Sequence, residues 1–231
     1  MTMTAISRSL ALLATLGLLA GCSGGNDITS AQVQLFQAGQ EALAKRRADR
    51  QAPARPALTR AVLNTVDVPV LEVTIEERDQ SAFLYASAQR RDDLPGHVTV
   101  WRTEDDVTLA MRNDVLIATR GLGGDLLSAE APVQGSRPGP ARPGERALHF
   151  HAQDTKDLRL TLACDLVDLG RTTITIVERT HPTRHVQERC SGGGGTVTND
   201  YWVDSQAGLV WQSRQWAGPE TGYLQIRRLT K

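Results

Sequence analysis

The sequence predicts a mainly β fold: one large antiparallel sheet, curled as a half barrel, with one or two N-terminal helices. Three observations carry this reading. From Val68 onward apolar and polar residues alternate with a period of two, the pattern of half-buried strands. About ten such segments succeed one another across short turn-forming stretches, which favours a mainly antiparallel, curling sheet. No heptad pattern or internal repeat competes with that pattern.

The elements follow in order. Ser30 to about Arg47 has helical spacing, with Val33, Phe36, Gln40 and Leu43 on one narrow stripe and Thr29 or Ser30 as cap; Gly39 weakens it. Lys45 to Pro56 is basic, contains Ala and Pro, and reads as a linker. Ala57 to Val66 forms a short second helix, Leu58 and Val62 lying one turn apart. Leu71, Val73 and Ile75 then alternate with Glu72, Thr74 and Glu76, and Ala82 to Ala88 is a further strand. His97–Arg102, Val107–Arg112 and Val115–Arg120 read as a meander, joined by Thr103-Glu104-Asp105-Asp106 and Asn113-Asp114, residues that tolerate tight turns. Ala131 to Glu145, with four Pro and three Gly, is a loop within one domain rather than a linker between two. Leu158, Leu160, Leu162 and Cys164 share one strand face; Thr172 to Arg179 is another strand, and Ser191 to Gly195 a flexible loop. Tyr201–Asp204 and Leu209–Trp216 flank a hairpin turn at Ser205-Gln206-Ala207-Gly208, and Gly222–Leu229 is the last strand.

The N-terminus is of another kind. Arg8 precedes an unbroken stretch of Leu and small residues, Leu10 to Ala20, too short to span a bilayer. It ends in Leu19-Ala20-Gly21-Cys22, which resembles the lipobox of bacterial lipoproteins. That resemblance implies a signal peptide over residues 1–21, cleavage before Cys22, and acylation of Cys22. Several acyl chains make a stable anchor, at about 0.8 kcal/mol per buried CH₂. Ser23-Gly24-Gly25-Asn26 is small and polar and reads as flexible, so residues 22–30 form a lipidated tether and 31–231 a single mainly-β periplasmic domain. In the lipoprotein class, Asp after the Cys holds the protein in the inner membrane; Ser23 stands here, which favours the outer membrane.

Twenty-six basic and 26 acidic residues balance, so charge makes no case for nucleic acid. Export would place Cys164 and Cys190 in an oxidising space, where a disulfide is the default. Two unrelated thiols are the alternative, and two cysteines alone make a poor metal set. Gly121-Leu122-Gly123-Gly124-Asp125 lacks the Lys and the spacing of a phosphate loop and reads as a turn with positive φ. His149 with His151, and His181 with His185, read as surface or turn histidines rather than metal ligands, so no metal or other cofactor is implied. Asp92-Asp93 and Asp105-Asp106 look like exposed turns, and no nucleophile elbow or other catalytic set is present. Aromatic residues crowd the C-terminal third. Core packing is their first reading, and glycan contact by Trp202, Trp211 and Trp216 the second.

Three segments point to a family. They are Arg112-Asn113-Asp114 running on to Leu126, Asn199-Asp200-Tyr201-Trp202-Val203-Asp204, and Gly208 to Gln215. With the lipobox and Leu58-Thr59-Arg60-Ala61, they resemble the YjbF/GfcB family of group 4 capsule polysaccharide lipoproteins. The resemblance implies an outer-membrane lipoprotein facing the periplasm that acts as a non-enzymatic accessory factor in capsule or exopolysaccharide export. Its partners would be an outer-membrane β-barrel and other periplasmic export proteins. The family supplies no catalytic residues, and only Cys22 takes a role from it. A periplasmic glycan- or lipid-binding module is the alternative, and a hydrolase would need a convergent set of residues that the sequence does not offer.

Overall fold

The computed structural model describes residues 58–151 and 157–231. The segments 1–30 and the helix expected over Ser30–Arg47 lie outside the described residues, as does Ala57. Among those described there is one short α-helix, α1 (Arg60–Leu63), capped by the Thr59 side chain, and a 3-10 turn at Glu76–Arg78. The second expected helix is thus a single turn. Beyond it Asn64 caps the end, and the extended approach to the first strand begins.

The described residues form twelve strands. They are β1 (Val70–Ile75), β2 (Gln80–Arg90), β3 (Val98–Arg102), β4 (Thr108–Arg112), β5 (Val115–Arg120) and β6 (Leu126–Ala129), then β7 (Gly144–His151), β8 (Asp157–Ile176), β9 (Arg179–Gly192), β10 (Gly195–Asp204), β11 (Leu209–Trp216) and β12 (Tyr223–Arg228). They make one sheet in the order β5-β4-β3-β2-β1-β12-β11-β10-β9-β8-β7-β6. Every neighbour is antiparallel, and every neighbour but one is also next in sequence. The exception is β1 with β12, which joins the two ends of the meander (Leu71 opposite Arg228, Ile75 opposite Leu224). The free edges, β5 and β6, are consecutive in the chain, so the sheet returns on itself and is nearly closed into a barrel rather than half of one.

Several expected bounds change for physical reasons. Leu158–Cys164 and Thr172–Arg179 belong to one long strand, β8, apart from the last residues, which turn into β9. An extra residue, Leu169, bends that strand at a bulge between Asp168 and Gly170. The loop expected at Ser191–Gly195 is a tight hairpin turn instead. Gly193 and Gly194 supply the positive φ, and a Cβ at Gly192 would lie 2.4 Å from the Thr161 carbonyl oxygen. Strand β6 and most of β9 gave no sequence pattern, because β6 is short and β9 is polar on its outward side.

Alternation sorts the side chains. Leu71, Val73 and Ile75 face inward with Leu224 and Ile226, and meet Leu84, Trp101, Leu109, Leu148, Phe150 and Leu162 in the main core. Each full burial of such a side chain contributes about 1.5–3 kcal/mol. The opposite face of β1 and β2 presents Val70 and Phe83, which join Leu63 of α1, Ile176, Trp211 and Leu229 in a second cluster. Arg60 ties this cluster together: its guanidinium donates to the carbonyls of Ile176 (2.8 Å), Val177 (3.0 Å) and Leu229 (2.8 Å). The tip of the β8–β9 hairpin is thereby fastened to α1 and to the C-terminal segment.

Candidate functional site

The closure of the sheet shapes its interior. No backbone ladder joins β5 to β6 among the described residues, and side chains close the seam. At one end Asp125 accepts from the Gly121 and Leu122 amides and from the Thr119 hydroxyl, and Thr119 Oγ1 accepts from Leu126 N (2.9 Å). The Gly121–Asp125 segment is therefore a turn, with Gly121 and Gly123 at positive φ, as its sequence suggested. Further along, Gln215 reaches across from β11. Its Oε1 accepts from Leu116 N (2.8 Å) and from the Tyr201 hydroxyl (3.1 Å), while Nε2 donates to Asp114 O (2.9 Å). Arg146 donates to Leu116 O and Glu130 O, both at 3.2 Å.

The same guanidinium pairs with Glu188, which is wholly buried, at 2.8 Å, and Asn199 Nδ2 donates to the same carboxylate oxygen at 2.8 Å. Burial alone would pull the Arg146 pKa down, but the Glu188 charge reverses the direction and holds it raised. Burial, with the Glu188 charge, pushes the Tyr201 phenol well above its ordinary value. Both groups keep one protonation state across the physiological range. The disulfide between Cys164 and Cys190 links β8 to β9 beside Glu188. These three residues are the closest approach to a metal set among the described residues, but with both thiols spent in the disulfide only one ligand remains.

One mouth of the barrel is organised by Arg112, Asn113 and Asp114. Asn113 and Asp114 form the β4–β5 turn with φ of 46° and 67°, a left-handed conformation these residue types tolerate. Each of the three side chains holds a different loop. Arg112 makes a two-pronged bond to Asp92 (2.5 and 2.8 Å) and reaches Pro95 O, fixing the β2–β3 connection. The Arg112 hydrogen bonds, opposed by burial and aided by the Leu94 amide, hold the Asp92 pKa down to about 2. Asn113 Nδ2 donates to the carbonyls of Gly135 (2.8 Å) and Arg137 (2.9 Å), drawing the Pro-rich segment between β6 and β7 over the mouth. Asp114 accepts from Arg228 (2.6 Å) and from Val210 N (3.0 Å), binding the ends of β12 and β11.

These ties surround a cavity of about 290 Å³, lined by Trp101, Asn113, Asp114, Arg228, Thr99 and Ser136 among others. The Arg228 guanidinium carbon lies 5.0 Å from the centre of the Trp101 ring. Two donors here, Trp101 Nε1 and Arg228 Nε, are buried and have no acceptor among the described residues. Sequence reading missed this site because its members come from β3, β4–β5, β12 and the Pro-rich loop. Only the Asn113-Asp114 turn gave a local signal.

The three tryptophans considered for glycan contact do not form one platform. Trp202 is half-buried and stacks on His185 at 4.6 Å, and that histidine bonds Asp200. Trp211 is 4% exposed, lies against His181 at 3.6 Å and donates to Asp204 (3.1 Å). Trp216 meets Phe150 edge-on at 5.4 Å. The cause is a bulge: Trp202 opposes Gln212 while Val203 opposes Val210, so Trp211 is the extra residue and turns into the second cluster. His181 is accordingly buried and not at the surface, with burial holding its pKa down, while His149 and His151 flank the inward Phe150. Asp92 is committed to Arg112, and Asp105 and Asp106 to the β3–β4 turn, where they bond Thr103 and Arg102.

Comparison with known proteins agrees with this architecture. The family described as group 4 capsule polysaccharide lipoprotein, GfcB and YjbF, matches residues 31–229. The solved structure of the hypothetical lipoprotein YmcC from Escherichia coli (K12) is similar, with a TM-score of 0.63 and 19% identity, covering 88% of this chain and 96% of that one. At that identity the likeness concerns the fold. No curated protein matches the chain.

Proposed function

The chain belongs to the YjbF family of group 4 capsule polysaccharide lipoproteins, and from that premise we propose that it is a non-enzymatic accessory factor in capsule or exopolysaccharide export or assembly. The observation that carries the reading is the family match, which extends over nearly the whole of the segment after the tether. The interior supports it. Arg146 is committed to closing the seam, bound to Glu188 and to two backbone carbonyls, which makes it a structural member of the interior. A lipid anchor at Cys22 and a position on the periplasmic side of the outer membrane are part of the proposal, supported by Leu19-Ala20-Gly21-Cys22 and by Ser23. Among the described residues no helix is long and apolar enough to cross a membrane. The partners proposed are an outer-membrane β-barrel protein and other periplasmic export proteins.

The test is secreted polysaccharide in a strain lacking this chain, complemented with the wild type or with Cys22→Ala. Loss of polymer, restored by the wild type and not by the variant, is the expected result. Unchanged polymer in a deletion strain without a second copy of the gene would remove the export reading. The glycan-binding alternative then gains weight through the mouth cavity. The lipid-binding alternative is disfavoured, because Trp101, Tyr201, Leu84 and Leu224 fill the inner face.

A further inference from the structure

We propose that this chain forms a two-fold dimer in which the open side of β8, over residues 170–176, pairs antiparallel with the same stretch of a second copy. The inference is independent of the export reading. Strand β8 outruns its neighbour on one side: β7 pairs with it only from Asp157 to Cys164, whereas β9 pairs with it as far as Ile176. Strand β10 likewise pairs with β9 no further than Arg184. Past these points the β8–β9 hairpin is a two-stranded ribbon with two open edges.

The two edges differ. Successive strand residues direct their backbone groups to opposite sides, and the residues that close a two-residue turn hydrogen-bond to each other. Ile176 and Arg179 close the turn at Val177-Glu178. Ile176, Ile174 and Thr172 therefore bond β9, while Arg171, Thr173 and Thr175 turn their N–H and C=O outward. Pro182, which has no N–H to donate, stands opposite Thr173 and agrees with this phase. On the β9 edge that proline hinders strand addition. The β8 edge has no proline, a single charge (Arg171) and, from Thr172 to Ile176, only β-branched residues. Among the described residues no loop or further strand bonds the backbone of Arg171, Thr173 or Thr175, and all three are exposed. An edge of that composition is a template for another strand, and native proteins blunt or cover such edges.

The stretch itself selects the occupant. The bulge at Leu169 ends the regular ladder on one side and the turn at Val177 ends it on the other, both four positions from Thr173. An antiparallel pairing with its two-fold axis at Thr173 is therefore matched in length. It sets Thr173 against Thr173 of the second copy, Thr172 against Ile174, and Arg171 against Thr175. No like charges face each other, and the outward backbone groups make about six hydrogen bonds. One patch that complements itself is the contact a two-fold dimer uses.

The experiment is native mass spectrometry of the full chain, purified from envelopes in detergent. Thr173 is exposed and turns its amide away from β9, so Thr173→Lys and Thr173→Glu should keep the wild-type circular dichroism. The wild type is expected as a dimer. Each variant alone sets like charges against each other on the axis and should be monomeric, and an equal mixture of the two should give a heterodimer. A monomeric wild type, a dimer that persists in both variants, or a mixture that stays monomeric would overturn the pairing. So would a wild type bound through this edge to a different envelope protein, in a complex that both variants lose and mixing does not rebuild. Polymer secretion plays no part in the readout, so the dimer and the export role stand or fall separately.

Discussion

Replacing Glu188 by Gln would leave the Arg146 guanidinium charged, buried and without its counter-ion. Breaking one side of a buried pair costs roughly 3–5 kcal/mol, whereas exchanging both for apolar residues of similar volume is often near neutral. Denaturant unfolding of Glu188→Gln is therefore expected to show the larger loss, and Arg146→Met with Glu188→Leu a smaller one; equal losses would mean that the pair acts mainly through its backbone contacts. Asp92 gives a pH signature at the same scale. Its ordinary value of 3.8 falls to about 2 in the folded protein, chiefly through Arg112. A depressed carboxylate contributes stability that is present above the unfolded value and disappears as pH falls through the folded one. Thermal melts between pH 4 and pH 2 should lose part of their acid slope in Asp92→Asn, and an unaltered slope would assign it to other carboxylates.

Among the elements, the β8–β9 hairpin carries the most load. The disulfide joins residues 26 apart directly across its ladder. In the chain-entropy account a loop of that size contributes about 3.5 kcal/mol, so the Cys164→Ala, Cys190→Ala double variant should unfold earlier by a similar amount. The wild type under reducing conditions should match it. The hairpin tip turns at Val177 and Glu178, both in the left-handed region, an uncommon place for a β-branched valine. Arg60 holds that turn through its carbonyl bonds, so Arg60→Ala should speed amide exchange at residues 174–181 before it changes exchange in β1. Gly218 is a second pressure point: at φ 131° a Cβ would lie 2.7 Å from the Phe150 ring, and Gly218→Ala is expected to displace that ring.

For the whole molecule, the weakest line is the β5–β6 seam, because side chains replace a backbone ladder there. Gln215 satisfies Leu116 N from a residue 99 positions away. Gln215→Leu keeps most of the volume but removes the side-chain partner of that amide and of the Asp114 carbonyl, and takes one hydrogen bond from the Tyr201 hydroxyl. Amide exchange should then rise at Leu116 and the β4–β5 turn while β1 and β12 stay protected. Uniform acceleration would show that the barrel opens as one unit and not at its seam.

Local chemistry explains what was legible beforehand. The periods of Leu71–Ile75 and Leu158–Cys164, the Asn113-Asp114 turn, the Gly121–Asp125 turn and the lipobox-like Leu19-Ala20-Gly21-Cys22 each express a property of a few adjacent residues: side-chain alternation, tolerance of positive φ, or recognition of a short peptide. By themselves they determined a mainly β chain and pointed to its family. Tertiary structure decided the rest. The pairing of β1 with β12, the near closure of the sheet, and the bulge that turns Trp211 away from the face of Ser213 and Gln215 depend on strands far apart in sequence. The mouth cavity has the same origin: Trp101, Asp114 and Arg228 follow unremarkable local patterns and become one site only when the ends of the meander meet. Alternation fixes which residues can share a face along one strand, but it carries no information about which strand lies beside it, and that choice is made by burial of the whole inner surface.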